Sequence, residues 1–370
     1  MDRLRYWLGF NLVSGIGPIR LRSLIDRFGD IESAWHASPQ ALREANLDRR
    51  SLRNLIRTRK KVNLEAEVHK VERAGVQVLT WDSTDYPTLL SQLPDAPPVL
   101  FVRGEIMALD EWSVAMVGTR KASAYGREVA YRLASELARN GVTVVSGLAR
   151  GIDGVSHQAA LDAGGRTIAV FGSGVDVIYP AEHRKLAERI VTQGALVSDY
   201  ALGTRPEAMN FPPRNRIISG LSLGTIVVEA GHRSGALITA DFALDQGREV
   251  FAVPGSILSP GSAGCNRLLR DGAHIVTEIC DVLEVLRLDN LQEKRQARMV
   301  LPENATEAAV YETLSAEPRH LDKVVRASGL PAEVVSSTLV MMELKGMVRQ
   351  TAPLQYVRLA EAEVSYSVND

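Results

Sequence analysis

From residue 112 onward the chain repeats one pattern, and that pattern restricts the fold more than any other feature. Short apolar, largely β-branched runs ("WSVAMVG", "VTVVSG", "RTIAVFG", "ALVSDY", "GTIVVEA", "EVFAVPG", and a last short "HIVTE") alternate with stretches that read as helices at 125–139, 155–163, 182–193, 213–219 and 235–246. Strands that are apolar throughout, rather than on alternate residues, belong to a parallel sheet covered on both faces. Each helix must then return the chain to the same end of the sheet. The result is a Rossmann-like, doubly wound α/β domain. Its parallel part spans roughly residues 100–285, and with the Pro-rich lead-in the extended domain runs over 76–286. A fold of this type also states where a ligand sits, outside the carboxyl ends of the strands.

The flanks read differently. Residues 1–75 read as helical: in "PIRLRSLIDRFG", Ile19, Leu21, Leu24, Ile25 and Phe28 fall near a 3.6-residue period and Gly29 stops the run. The passage "DYPTLLSQLPDAPPVLF" links forward, and Pro97 and Pro98 forbid helix there. Residues 287–304 are polar and read as a linker. Residues 305–362 carry three short helical patterns and then two short strands around a turn, a winged-helix pattern. A length of 370 residues accommodates such a series of domains. No run reaches the length of a membrane span. The start, "MDRLRYWLGFNLVSGIG", has charge on both sides and no small-residue cleavage site, so no signal peptide and a cytoplasmic location are expected. Cys265 and Cys280 fit a reducing compartment and form no metal-binding pattern.

A net charge of −1 argues against a uniformly basic protein, yet "RRSLRNLIRTRKK" at 49–61 holds seven cations and no acid. Such a block can bind phosphates; the plainer reading is a solvated helix face.

Four glycine-bearing segments fall at carboxyl ends of strands. In "VGTRKASAYG", Arg120 offers a planar, permanently charged fork to a phosphate, and Ser123 is placed to cap the next helix. Its plainer reading is pairing with an acid. In "VVSGLARGIDGVSHQAALDAGG", the spacing of Gly147, Gly151 and Gly154 is not the dinucleotide fingerprint. What remains is a turn, opening at Ser146, that bares backbone amides to an anion, with Asp153 placed to cap the helix through Gly154 and Val155. His157, one turn in, reads as structural. In "NFPPRNRIISGLS", Asn210, Phe211, Arg214, Asn215 and Arg216 combine charge with a ring, the kit for single-stranded nucleic acid. In "VVEAGHRSGALITADFALDQGREVFAVPG", Ser234 and Gly235 precede a helix and Thr239 follows one turn later, a second anion nest.

The absences matter as much. There is no Walker lysine, no nucleophile elbow, no carboxylates at metal spacing and no nucleophilic cysteine, so binding is favoured over turnover. The rival is a nucleotide-phosphate-binding enzyme of the phosphoribohydrolase type, with Glu229 of "GTIVVEA" as its carboxylate. The P-G-G that precedes this segment in such enzymes is missing, the chain reading "SGLSLGTIVVEA". A row of anion sites suits a chain of phosphates better than a single one.

These four segments, in this order, resemble the DNA-processing protein A (DprA/Smf) family over roughly residues 80–285. The resemblance implies a bacterial cytosolic protein that binds single-stranded DNA, protects incoming strands in natural transformation and helps to load the RecA recombinase. It implies a Rossmann-like core, an N-terminal SAM-like or helix-hairpin-helix domain and a C-terminal winged helix. It implies no catalysis, no cofactor, no metal, no membrane, and a homodimer formed through the core. Carried to this chain, it places DNA phosphates near Arg120, Ser146, Gly147, Gly151, Asp153, Arg214, Asn215, Arg216, Ser234 and Gly235; Asn210, Phe211 and Thr239, from the reading of the segments themselves, complete the candidate DNA-binding set, with Asp153 expected to hold its turn rather than touch the strand. Pro213 stands where family members often carry a basic residue, which shifts the expected contact to Arg214. "SGIGPIRLRSLIDRFG" looks like half of a helix-hairpin-helix element, with Gly15 and Gly17 exposing amides. The third helix of the winged-helix segment, with Glu333 and Glu343 against Lys345, is too acidic for a groove reader, so interaction or self-association is expected there.

Overall fold

The computed structural model describes residues 3–288, 304–315, 318–344 and 347–358. The chain forms two compact units, Met1–Asp289 and Asn290–Asp370.

The first unit is built on a nine-stranded sheet: β1 (Gln77–Thr80), β2 (Val99–Gly104), β3 (Ser113–Val117), β4 (Thr143–Ser146), β5 (Thr167–Val170), β6 (Gly194–Ser198), β7 (Gly224–Val227), β8 (Glu249–Ala252) and β9 (His274–Ile275). Their order is β1-β2-β6-β5-β4-β3-β7-β8-β9. From β6 to β9 every pairing is parallel. The uniformly apolar runs predicted this, since β3 to β7 are buried at every position. The chain steps outward from β3 to β6, then returns to place β7 on the other side of β3. This reversal makes the carboxyl ends of β3 and β7 the topological switch point, where a crevice opens.

The β1–β2 pair is a finding that the sequence pattern did not supply. Both pairings, β1 with β2 and β2 with β6, are antiparallel and extend the sheet beyond β6. Strand β2 has two buried faces serving two cores. Leu100 and Val102 join the sheet core with Leu90, Ile217 and Leu237, whereas Val99 and Phe101 join Phe10, Leu24, Trp35 and Leu55 of the N-terminal helices. Full burial of a side chain such as Phe101 stabilises by roughly 1.5–3 kcal/mol. The six helices Leu4–Asn11, Pro18–Phe28, Ile31–His36, Pro39–Glu44, Arg49–Lys61 and Leu64–Arg73 therefore share a core with the sheet. Trp7 Nε1 donates to Asp82 at 3.1 Å and Lys70 Nζ to the Leu202 carbonyl at 2.8 Å, adding polar ties across the same junction.

The second unit contains helices Ala305–Glu312, Leu321–Ser328 and Ala332–Leu344, and a small sheet of β10 (Arg319–His320), β11 (Val348–Ala352) and β12 (Gln355–Arg358) in the order β10-β12-β11. Val310, Leu314, Val324, Val335, Leu339, Met342 and Tyr356 form its core. This is the winged-helix arrangement read from the sequence. Most of the predicted linker (289–303) and Lys345 lie outside the described residues. No helix among the described residues is long and apolar enough to cross a membrane.

Candidate nucleic-acid interface

A depression of about 350 Å³ opens at the switch point. It is lined by Gly118, Thr119 and Arg120 after β3, by Ala149 and Asp153 after β4, by Phe211, Arg214 and Asn215, and by Ser234, Gly235 and Thr239. Three of the four predicted segments are thus joined to the fourth in one place.

The loop after β3 is pinned by Glu229. The Glu229 carbonyl accepts from Thr119 N at 2.7 Å, and its carboxylate accepts from Ser123 N at 2.9 Å. Gly126 packs so closely that a Cβ there would lie 2.0 Å from the Glu229 carboxylate. Ser123 caps the helix Ala124–Arg139 by accepting from Gly126 N at 3.0 Å, as its position predicted. Glu229 is buried and does not line the depression. Arg120, held on this rigid loop, is exposed and has no ion pair among the described residues. Its guanidinium lies 5.4 Å from the centroid of the Phe211 ring. The plainer reading of Arg120, pairing with an acid, is therefore corrected: the cation faces solvent above a ring.

The turn after β4 differs from its expected form. Asp153 does not cap forward through Gly154 and Val155. It sits in the first turn of the helix Ile152–Asp162 and reaches back, accepting from Gly147 N at 3.2 Å and Ala149 N at 3.3 Å. The predicted anion nest is filled by the chain's own carboxylate, so these amides are engaged. Gly151 has φ +76°, and a Cβ there would lie 2.2 Å from the Thr119 carbonyl oxygen. Only glycine fits. Ser146 is fully buried and its hydroxyl donates to the Met116 carbonyl at 2.6 Å. Burial pushes the Asp153 carboxyl up, against the opposing charge of Arg214 and the two amides. His157, read as structural, is buried with Nδ1 2.7 Å from Thr167 Oγ1; burial, aided by the charges of His183 and Arg214, pulls it down to about 3.

The segment Asn210–Arg216 presents one ring and hides its two cations. Pro212 and Pro213 open the helix Phe211–Gly220, where a missing N–H costs nothing. Arg214 is 3% exposed and turns inward, donating to the carbonyls of Gly147, at 2.9 Å, and Val170. It thereby bridges the ends of β4 and β5. Burial pulls its guanidinium down to about 10, while Asp153 opposes that shift. Arg216 donates to Asp95 at 2.9 Å and lies 3.5 Å from Asp199. Asn215 Nδ2 donates to the Gly235 carbonyl at 3.4 Å, and the Asn210 carbonyl accepts from the Tyr200 hydroxyl at 3.2 Å. Phe211 is half-buried, 5.6 Å from Arg214 on its inner side. Tyr179, 43% exposed, stands 5.8 Å from it. Sequence reasoning missed Tyr179; an aromatic residue in the loop "GVDVIYP" was the one available signal.

At the fourth segment Ser234 caps the helix Gly235–Asp245, accepting from Ala236 N at 3.4 Å. Gly235 is exposed, and as the first residue of the helix its amide has no intrahelical partner. Thr239 is 1% exposed and forms part of the floor. No group of three or more His, Cys, Asp or Glu among the described residues could hold a metal ion.

Comparison with known proteins agrees with this architecture. The family profile described as DNA recombination-mediator protein A matches residues 77–287, and that of the DprA winged helix domain matches 295–352. Protein Smf of Escherichia coli is 40% identical, covering 93% of this chain and 96% of its own. The structure of DNA processing protein A from Streptococcus pneumoniae aligns with a TM-score of 0.68 at 35% identity, covering 76% of this chain and 97% of that one. The DNA processing protein A of Helicobacter pylori, whose structure is described for its single-stranded DNA binding mode, aligns with a TM-score of 0.52 at 30% identity, covering 58% of this chain and 96% of that one.

Proposed function

The chain belongs to the DNA recombination-mediator protein A (DprA/Smf) family, and from this premise we propose that the switch-point depression binds single-stranded DNA. One observation carries the reading: an exposed Arg120, without an ion pair among the described residues, lies over the Phe211 ring at the mouth of the depression. The guanidinium meets a phosphate, and the outer parts of Phe211 and Tyr179 meet an unstacked base. The exposed Gly235 amide at a helix start takes a neighbouring phosphate. The relative from H. pylori supports the choice of ligand. Arg214, Arg216, Ser146 and Asp153 act behind this surface by holding the loops in register.

The same reading has the protein work without cofactor or metal, in the cytoplasm, as a homodimer that protects strands and passes them to the RecA recombinase. It is a binding reading because the carboxylates nearest the depression are committed: Asp153 to two amides, and Glu229 to the loop after β3.

The test is fluorescence anisotropy with a short labelled oligo-dT at several salt concentrations. Wild type should bind with a steep salt dependence, Arg120→Ala should lose at least tenfold, and Arg120→Lys should retain part of the affinity. Unchanged binding by Arg120→Ala overturns the assignment. Release of free base from nucleoside monophosphates would overturn the view that binding is the whole activity.

A further inference from the structure

The helix Arg49–Lys61 holds a second concentration of positive charge, outside the depression. At 100° per residue, Arg49, Lys60, Arg53, Arg57, Arg50 and Lys61 fall within an arc of about 120°. All six are exposed. The opposite arc carries Leu52 and Leu55, which are buried in the N-terminal core. None of the six has an ion pair among the described residues. The adjacent acid, Asp48, is already engaged: it caps the helix by accepting from Arg50 N at 2.9 Å and Ser51 N at 3.0 Å, and pairs with Arg20 at 3.0 Å. The seventh cation, Arg59, is turned inward and donates to the carbonyls of Ala34 and Ala37.

An ordinary solvated face does not account for this arrangement. Lys60 and Lys61 suit the negative end of the helix dipole, but Arg49 and Arg50 stand in the first turn, where a cation is unfavourable. Arg49, Arg53, Arg57 and Lys61 also follow one another at i,i+4, where like charges repel. The chain as a whole carries a net charge of −1, so the clustering is local. The face is also rigid, because Ser51 Oγ donates to the Gly15 carbonyl at 3.0 Å and Asn54 donates to the Ser14 carbonyl at 2.8 Å.

We infer that this face docks against the phosphate backbone of duplex DNA. The complementary partner is a dense polyanion. The face runs about 18 Å along the helix, a length over which a duplex presents several phosphates. Its exposed arc has no aromatic residue, so it lacks the stacking platforms by which single-strand grooves work. Recognition there is by charge alone, which requires no unstacked base. The chain thus carries one surface for a strand's bases and phosphates and another for an intact double helix.

This assignment rests partly on the reading that the chain handles DNA, and the experiment separates the two. A blunt-ended labelled duplex and a short oligo-dT are titrated with the full-length protein and with the triple variant R49Q/R50Q/R53Q. The expected result is at least a tenfold loss of duplex affinity and a log–log salt slope shallower by about 2 to 3, with oligo-dT affinity changed less than twofold. The charge-preserving R49K/R50K/R53K should restore duplex binding, which separates charge from helix stability. Equal duplex binding by wild type and the triple variant overturns the inference, and so does a loss confined to oligo-dT. Failure of Arg120→Ala to weaken oligo-dT binding overturns the sheet-edge reading and leaves the duplex arm independently decisive.

Discussion

Arg120 and Arg214 approach the same Phe211 ring, at 5.4 and 5.6 Å, from the two ends of the burial scale. Arg120 is exposed, on a loop fixed by Glu229, and its guanidinium has no ion pair among the described residues. Arg214 is 3% exposed, with its guanidinium on the carbonyls of Gly147 and Val170. One faces the solvent where a ligand would lie; the other ties the floor together. The difference teaches that a count of arginines near a binding loop is not a count of charges available to a ligand. Arg216, engaged by Asp95 and Asp199, makes the same point.

The largest effect that would break this comparison is on stability. Arg214→Ala should destabilise by about 3–5 kcal/mol, because it leaves Asp153 buried without its offsetting charge and two carbonyls without their donor. Denaturant unfolding measures it; a loss below about 1 kcal/mol would mean that Arg214 does not hold the floor. Next comes affinity. Arg120→Ala should cost about 1.5–3 kcal/mol in single-strand binding, yet shift stability by no more than about 0.5 kcal/mol. A thermal melt beside the binding titration checks both halves, and a large stability loss would erase the contrast with Arg214.

Gly151→Ala should destabilise by about 1–3 kcal/mol through a left-handed φ and a clash with the Thr119 carbonyl, and should weaken binding indirectly by displacing the Arg120 loop. If the variant melts like wild type, the coupling between the two turns is absent. Smallest per unit of pH, though cumulative, is a pH dependence on the buried side. His157 is pulled to about 3, below its ordinary value near 6.5. The unfolded chain therefore takes up the proton first on acidification. The stability contributed by burying the neutral ring is complete above about pH 6.5 and declines toward pH 3, by at most about 1.4 kcal/mol per pH unit. His157→Gln should flatten the fall in unfolding free energy between pH 6.5 and 4.5, and parallel curves for the two proteins would sink the assignment.

Much of the fold was legible in the sequence because its signals are local. Unbroken apolar runs specify buried parallel strands, and helices between them specify the return path. Ser123 announced its capping role by standing one residue before a helix, whereas Ser234, read as part of an anion nest, also caps one. Strands β1 and β2 were not legible. Strand β1 is only four residues long, and β2 directly follows Pro97 and Pro98 and is apolar on both faces because the N-terminal helices cover one of them. At the site, the segments after β3, β4 and β7 were legible as glycine-bearing turns at strand ends, whereas Asn210–Arg216 lies at the start of the helix Phe211–Gly220. Tyr179 was not, because nothing in its own loop states that Phe211 stands beside it.

By itself, then, the sequence determined the parallel sheet, the edge at which a ligand meets it and the turns that line that edge. Backbone periodicity and glycine conformations are set by neighbours along the chain. Only the tertiary structure decided which cations reach solvent and that Asp153 fills the nest after β4. These outcomes depend on groups brought from far away, such as the Val170 carbonyl at the end of β5, Asp95 before β2 and Glu229 after β7. Where a long side chain finds such a partner, burial favours the inward rotamer over solvation; Arg120 finds none among the described residues and stays at the surface.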